Sequence, residues 1–213
     1  MTKDLAALRQ EYSQHELSRA SVALDPFVQF AAWFDEATEA EIFEPNAMHL
    51  GTASLDGIPS GRTVLLKGFD AQGFTFFTNY DSRKGRELTA NPNCYLHFFW
   101  KELERQIFIR GTAEKVSAHE SDQYFSVRPY LSQIGALASA QSSAIESREV
   151  LESRFEEMKA KYPERSVPRP EHWGGFCVTP SEFEFWQGRR SRLHDRIRYS
   201  LVENAWRIER LSP

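Results

Sequence analysis

The chain has 213 residues, 41% apolar and 26% charged, with a formal net charge of −4. A chain this long buries roughly 70% of its unfolded surface, so its 16 Phe, 5 Trp and 7 Tyr predict an aromatic core rather than disorder. The mildly acidic balance argues against a nucleic-acid binder, which needs a concentrated cationic face. Cys94 and Cys177 sit in apolar runs without ligand spacing, which points to reduced core thiols in a cytoplasmic protein and to no metal site.

The first residues carry acidic side chains and no apolar core, and no run of about 18 apolar residues occurs, so neither targeting nor a membrane span is expected. Residues 1–24 are polar and weakly patterned and read as a mobile N-terminal arm, followed by a single domain over 25–213. A helix is predicted from about Asp25, with Asp25 as cap, Pro26 at the first helical position and Phe27, Phe30, Ala31 and Phe34 on its core face. From Ala47 to Val116, short apolar runs are cut by Asp56-Gly57, Asp70 to Gly73, Asn91-Pro92-Asn93 and the charged Lys101 to Glu104. Strands are expected near 47–54, 61–68, 74–79, 94–100 and 105–116, with one helix over Ser82 to Ala90. Turns this short favour antiparallel pairing.

Ser117 and Glu120 form a possible capping box for a helix reaching about Val127. A longer helix is predicted over Ser147 to Tyr162, with Leu151, Phe155, Met158 and Tyr162 as its apolar stripe. The proline-containing stretch Pro163 to Pro170 reads as an extended connector. Strands resume at 173–179, 182–187, 196–201 and 205–211. The expectation is an α+β fold, a mainly antiparallel β-barrel with flanking helices.

G-x-S-x-G, Walker, G-x-G-x-x-G and H-E-x-x-H signatures are all missing. Four polar islands remain. Arg62 and Lys67 bracket a strand through Thr63, Val64, Leu65 and Leu66; five residues apart, they project to opposite faces of an ideal strand and suit different ligands. Phe77 and Thr78 end a strand that runs into Ser82, Arg83 and Lys84, where a helix N-terminus and two cations make a ready phosphate site. Gln106 lies in a hydrophobic strand, while Tyr124, Arg128 and Ser132, spaced by four, and Gln141 with Ser142 lie in or near helical segments and offer donors to an anion. The aromatic run Phe183 to Trp186 empties into a loop holding Arg189, Arg190, Arg192 and His194, suited to a planar anionic ligand. Each island also admits a plainer account as strand ends, caps or solvated loops.

The strings Arg62-Thr-Val-Leu-Leu-Lys67, Ser82-Arg83-Lys84, Leu103-Glu104-Arg105-Gln106, Ser132-Gln133-Ile134-Gly135-Ala136, Gln141-Ser142-Ser143, Trp173-Gly174-Gly175-Phe176, Phe185-Trp186-Gln187-Gly188 and Arg192-Leu193-His194-Asp195-Arg196 occur in this order. Together they resemble the pyridoxine (pyridoxamine) 5'-phosphate oxidase family from about Leu8 to the last residue. The resemblance implies an FMN-binding split barrel and a homodimer with FMN at the subunit interface. It implies FMN contacts from Arg62, Thr63, Val64, Leu65, Leu66, Lys67, Phe77, Thr78, Arg83, Lys84, Gln106, Gln141, Ser142, Trp186 and Arg196. Substrate phosphate would fall to Lys67, Tyr124, Arg128 and Ser132, and the pyridine ring to Arg192 and His194, the catalytic pair. Arg9 and Tyr12 would let the arm reach the ligand. Phe77 stands where the family often has Tyr, leaving only a backbone contact there. The implied reaction takes pyridoxine or pyridoxamine 5'-phosphate and O2 to pyridoxal 5'-phosphate and hydrogen peroxide, with ammonia from the amine. Two rivals stay open at this stage: a non-catalytic holder of FMN or pyridoxal phosphate, and a flavin reductase using a nicotinamide donor.

Overall fold

The computed structural model describes residues 11–164 and 166–213. The first helix, α1 (Pro26–Glu39), is followed by β1 (Ala47–Ala53), β2 (Pro59–Leu65), β3 (Gly68–Asp70) and β4 (Gly73–Asn79). Helix α2 (Arg83–Ala90), β5 (Asn93–Trp100) and β6 (Arg105–Lys115) come next, then α3 (Ala118–Ser126), α4 (Tyr130–Ala138) and α5 (Arg148–Lys161). The chain ends with β7 (Trp173–Gln187), β8 (Asp195–Val202) and β9 (Ala205–Leu211). Hydrogen bonding orders the strands β2-β1-β5-β6-β7-β4-β3, with β8 pairing β7 and β9 pairing β8. The β3–β4, β4–β7, β7–β8 and β8–β9 ladders are antiparallel.

The expected strands 173–179 and 182–187 are one strand, β7. Its ladder to β4 ends at Val178 and its ladder to β8 begins at Glu182. Pro180 falls in the gap between these ladders, where its missing N–H costs no bond to either strand. Helix α4 and the short β3 were not expected; the α4 sequence lacks a capping side chain, and Pro129 serves as its N-cap. Pro129 also separates α4 from α3, so Tyr124, Arg128 and Ser132 lie on a helix, a turn and a second helix in succession.

Local chemistry accounts for the helix starts. Asp25 accepts the Phe27 N–H at 2.8 Å and Pro26 stands at N1. Ser117 and Glu120 complete the reciprocal capping box. On α1 the buried face runs through Phe30, Trp33 and Ala37, while Phe27, Ala31 and Phe34 are half-buried, so the face is rotated from the expected one. On α5 the stripe Leu151, Phe155, Met158 and Tyr162 is half-buried and no residue is fully buried.

By internal contacts the chain divides into two compact units. The first comprises residues up to 49 with 95–110 and 180–213. Its core includes Phe30, Trp33, Phe98, Ile107, Phe183, Phe185 and Tyr199, all at or below 3% exposure. The later part of the expected arm is tied down within this unit. Ser13 and Gln14 donate their N–H groups to Glu104, Leu17 is buried and donates to Asp195, and the Tyr199 hydroxyl donates to Ala23 O. The second unit comprises 50–94 and 111–179. It buries Leu50, Phe74, Phe76, Leu88, Phe125, Ile134, Phe176 and Val178. Cys94 is buried there and its thiol is pushed up to about 12; Cys177 is half-buried, and both are free.

Candidate active site

In the second unit a cleft of about 490 Å³ is lined by Thr63, Val64, Leu65, Lys67, Phe77, Thr78, Lys84, Tyr124, Val127, Arg128, Pro129, Ser132, Gln141 and Trp173. Eleven of these are residues singled out from the sequence, drawn from β2, β4, α2, α3, α4 and the loops beside them. Among the described residues, three cations line the cleft and no carboxylate does. That composition selects an anion.

One wall is a stack of rings. Phe77 lies 4.0 Å from Tyr124 and 5.5 Å from Trp173, at interplanar angles of 18° and 12°. The Arg128 guanidinium sits 4.5 Å over the Trp173 ring. Arg128 Nη1 is buried and finds no hydrogen-bond partner among the described residues. Burial pulls the guanidinium pKa down, against the pull of Tyr124. A buried, unsatisfied donor costs about 1–3 kcal/mol, a cost a bound anion would remove. Trp173 as the platform for Arg128 was not assigned from the sequence; the Trp173-Gly174-Gly175 string was its only signal. Its neighbour is constrained too: a Cβ on Gly174 would come within 2.2 Å of the Tyr80 hydroxyl.

Lys84 is held by neutral oxygens. Its Nζ donates to Gln141 Oε1 at 2.7 Å and to Thr78 Oγ1 at 3.2 Å. Burial first, and the charge of Arg62 second, lower its pKa to about 8. Lys84 is placed by the close seating of α2, which Gly85 permits: a Cβ there would stand 2.2 Å from Tyr80 O.

Other expected residues lie elsewhere in this unit. Arg62 does not line the cleft; it donates to Leu50 O, Thr52 Oγ1, Ser60 Oγ and Glu87. Arg83 donates to Glu87 Oε1 at 2.8 Å with its side chain 58% exposed. Leu66 is core at 4% exposure. Ser142 is exposed in a left-handed conformation, φ 69°. Glu87, which joins the two arginines, carried no signal recognised in the sequence.

The first unit holds the remaining residues. Gln106, Trp186, His97, Phe108, Arg110, Glu182 and Glu184 line a cavity of about 300 Å³. His97 Nε2 and Gln106 Oε1 are 2.9 Å apart, which makes the ring nitrogen the donor. Arg196 is held by Glu184 in a two-pronged pair at 2.7 and 3.0 Å and donates to Ser212 O. His194 packs on Trp186 at 4.6 Å, and Tyr12 lies 5.8 Å from Trp186 and 5.9 Å from His194. The Arg189 N–H donates to His194 Nδ1 at 3.1 Å, so the neutral ring carries its proton on Nε2. Burial, then the charge of Arg192, lowers the His194 pKa, with Asp195 opposing. Ser191 and Arg192 take left-handed φ values of 56° and 60°, a strained turn. Arg9 lies outside the described residues. Among those described, no group of His, Cys, Asp or Glu is placed to hold a metal ion, and no helix is long and apolar enough to cross a membrane.

Comparison with known proteins identifies the family. A family profile described as pyridoxamine 5'-phosphate oxidase matches residues 34–162, and one described as the pyridoxine 5'-phosphate oxidase C-terminal dimerisation region matches 173–213. The pyridoxine/pyridoxamine 5'-phosphate oxidase of Nostoc punctiforme is 57% identical over the whole of both chains, and that of Salinibacter ruber 56% over 98% of this chain and 99% of its own. Among solved structures, PhzG from Burkholderia lata, in complex with tetrahydrophenazine-1-carboxylic acid, superposes with a TM-score of 0.87 at 33% identity, covering 91% of this chain and 95% of its own. The fold is of the split-barrel class expected from the sequence. By its sequence over the full length and by its fold, the chain belongs to the pyridoxine/pyridoxamine 5'-phosphate oxidase family of enzymes.

Proposed function

We propose that the protein is an FMN-dependent oxidase that converts pyridoxine 5'-phosphate or pyridoxamine 5'-phosphate to pyridoxal 5'-phosphate, working as a homodimer in the cytoplasm. The observation that carries this reading is the cleft in which Lys67, Lys84 and Arg128 converge beside the Phe77–Tyr124–Trp173 stack, with no carboxylate in its lining and no partner for Arg128 Nη1 among the described residues. Both the cofactor and the substrate are phosphate esters with flat rings, and those residues fit such groups.

FMN, when bound, supplies the two-electron acceptor that O2 restores, with hydrogen peroxide as the by-product. The alcohol needs only O2. The amine consumes one water as well and releases ammonia, so both routes balance to the same aldehyde.

The roles of the side chains follow from their chemistry. Lys67, Tyr124, Arg128 and Ser132 hold the substrate phosphate, Arg128 through the donor that has no other partner. Lys84, Thr78 and Gln141, already hydrogen-bonded to one another, serve the cofactor, with Arg62, Arg83, Thr63, Val64, Leu65, Ser142 and the Phe77 backbone. Gln106, Trp186 and Arg196 complete the cofactor contacts, and Leu66 contributes through its backbone. Arg192 clamps the substrate ring, and His194 donates from Nε2 to a polar ring substituent. These groups act by proximity and electrostatics. Arg9 and Tyr12 bring the arm to the ligand.

The test is purification with a flavin absorption spectrum, followed by O2 consumption with each phosphate ester in the absence of NADH and NADPH. Oxygen uptake with stoichiometric pyridoxal 5'-phosphate supports the reading. A flavin that is reduced only by a nicotinamide donor defeats it, as does a bound flavin with no turnover.

A further inference from the structure

Glu87 is a carboxylate at 8% exposure on α2. Its Oε2 accepts from Thr52 Oγ1 and Ser60 Oγ, each at 2.5 Å, and from Arg62 Nη2 at 3.4 Å. Its Oε1 accepts from Arg83 Nε at 2.8 Å, one helical turn earlier. Arg62 also donates to Thr52 Oγ1 at 2.6 Å and Ser60 Oγ at 2.7 Å, which closes the network. Burial works to raise the Glu87 pKa, but the bonds from Ser60, Thr52, Arg83 and Arg62 outweigh it and hold the group at about 2. The carboxylate is therefore charged throughout the neutral range.

The surroundings explain why a charge is kept here. Arg83 and Lys84 occupy the first turn of α2, where the positive end of the helix disfavours cations. Arg62 is close enough to depress the pKa of Lys84. Glu87 pairs with two cations, Arg62 and Arg83, which leaves room for an anion as the next counter-charge. A carboxylate that merely neutralised them would not need two short hydroxyl bonds from β1 and β2. Those bonds fix Glu87, and Glu87 in turn fixes the two guanidinium groups.

We propose that Glu87 is a positioning residue for the cofactor: it holds Arg62 and Arg83 at the start of α2 in the orientation that receives the anionic end of FMN. This rests on the flavin reading above. The opposing physical effect is plain, since a negative charge near an anion site repels the anion, so the sign of the outcome discriminates.

The experiment is titration of the apoprotein with FMN, followed by flavin fluorescence, for wild type, Glu87→Gln and Glu87→Asp, with kcat measured at saturating FMN and thermal melting for each. Glu87→Gln keeps the size but loses the charged acceptor, and the FMN Kd should rise on the order of tenfold, the loss expected when a charge-assisted hydrogen bond is weakened. Glu87→Asp keeps the charge with a shorter reach and should fall between. The kcat at saturating FMN should stay within about twofold of wild type, because Glu87 touches no reacting group. If Glu87→Gln does not fold, Glu87→Asp carries the same comparison. An FMN Kd that is unchanged or tighter in the variant measured overturns the proposal. So does a loss of kcat that excess FMN does not restore. A wild-type protein that fails to bind FMN instead overturns the functional reading beneath it.

Discussion

Raising the pH from 7 to 9 should weaken FMN binding about tenfold through Lys84 alone. The folded pKa is about 8 and the ordinary value 10.5, because burial and Arg62 disfavour the ammonium. The sign follows from that depression. At pH 7 Lys84 is charged in the folded and unfolded chain alike, and the folded state carries the cost of its burial, on the order of 3 kcal/mol at about 1.4 kcal/mol per pH unit. Between pH 8 and 10.5 the folded protein has released a proton that the unfolded chain still holds, so the apoprotein gains stability as pH rises through that window. Anion binding runs the other way, since only the ammonium form is a strong partner for phosphate. If the bound anion lifts the pKa well above 9, the apparent association constant falls by the factor 1 + 10^(pH − 8), roughly 1.1 at pH 7 and 11 at pH 9. A phosphate monoester is already about nine-tenths doubly ionised at pH 7, its second pKa being about 6, so the ligand adds little slope of its own. FMN titrations followed by fluorescence at constant ionic strength read the effect directly. Lys84→Arg, which stays charged, should abolish the slope. A flat profile in wild type, or an unchanged slope in Lys84→Arg, would refute the reasoning.

Arg192→Ala should lower kcat by two orders of magnitude or more while FMN affinity stays within about threefold, as separate turnover and binding assays would reveal. His194 is kept neutral by burial and Arg192, so the acid limb of kcat/KM should lie below 6.5, and His194→Gln, which retains a donor near the Nε2 position, should lose that limb; a limb that persists in the variant counts against His194 as its source. Arg105 donates to Glu36 at 2.6 Å and to Gln187 at 2.9 Å and covers Trp33 at 4.4 Å, all within the first unit. Arg105→Met should destabilise the protein by about 2–3 kcal/mol in urea unfolding, the pair being discounted because Glu36 is half exposed, and should leave the FMN affinity of the folded protein unchanged.

Much of the secondary structure was legible because its signals are local. Asp25-Pro26 and the Ser117/Glu120 box carry their own capping chemistry, and the turn residues between 54 and 104 delimit strands whatever they pack against. The failures were non-local. Pro180 reads as a strand break until the partners on either side of it are known, and α4, without a capping side chain, is held in place by packing against α5. The face of α1 was misjudged by about one residue in its apolar pattern because Phe27, Ala31 and Phe34 satisfy the same periodicity as the buried Phe30, Trp33 and Ala37.

For the site, residue type and order were enough to name the cations and the aromatic strand, since the chemistry of guanidinium, ammonium and ring is intrinsic to each side chain. Which cations line one cleft, and which pair with a carboxylate, depends on three-dimensional proximity. Lys67, Lys84 and Arg128 lie together although 17 and 44 residues separate them in the chain, whereas Arg62, five residues from Lys67, is engaged by a carboxylate 25 residues away. Charge acts through space and not along the sequence, so the tautomer of His194, the depressed pKa of Lys84 and the hub at Glu87 were decided by the tertiary structure.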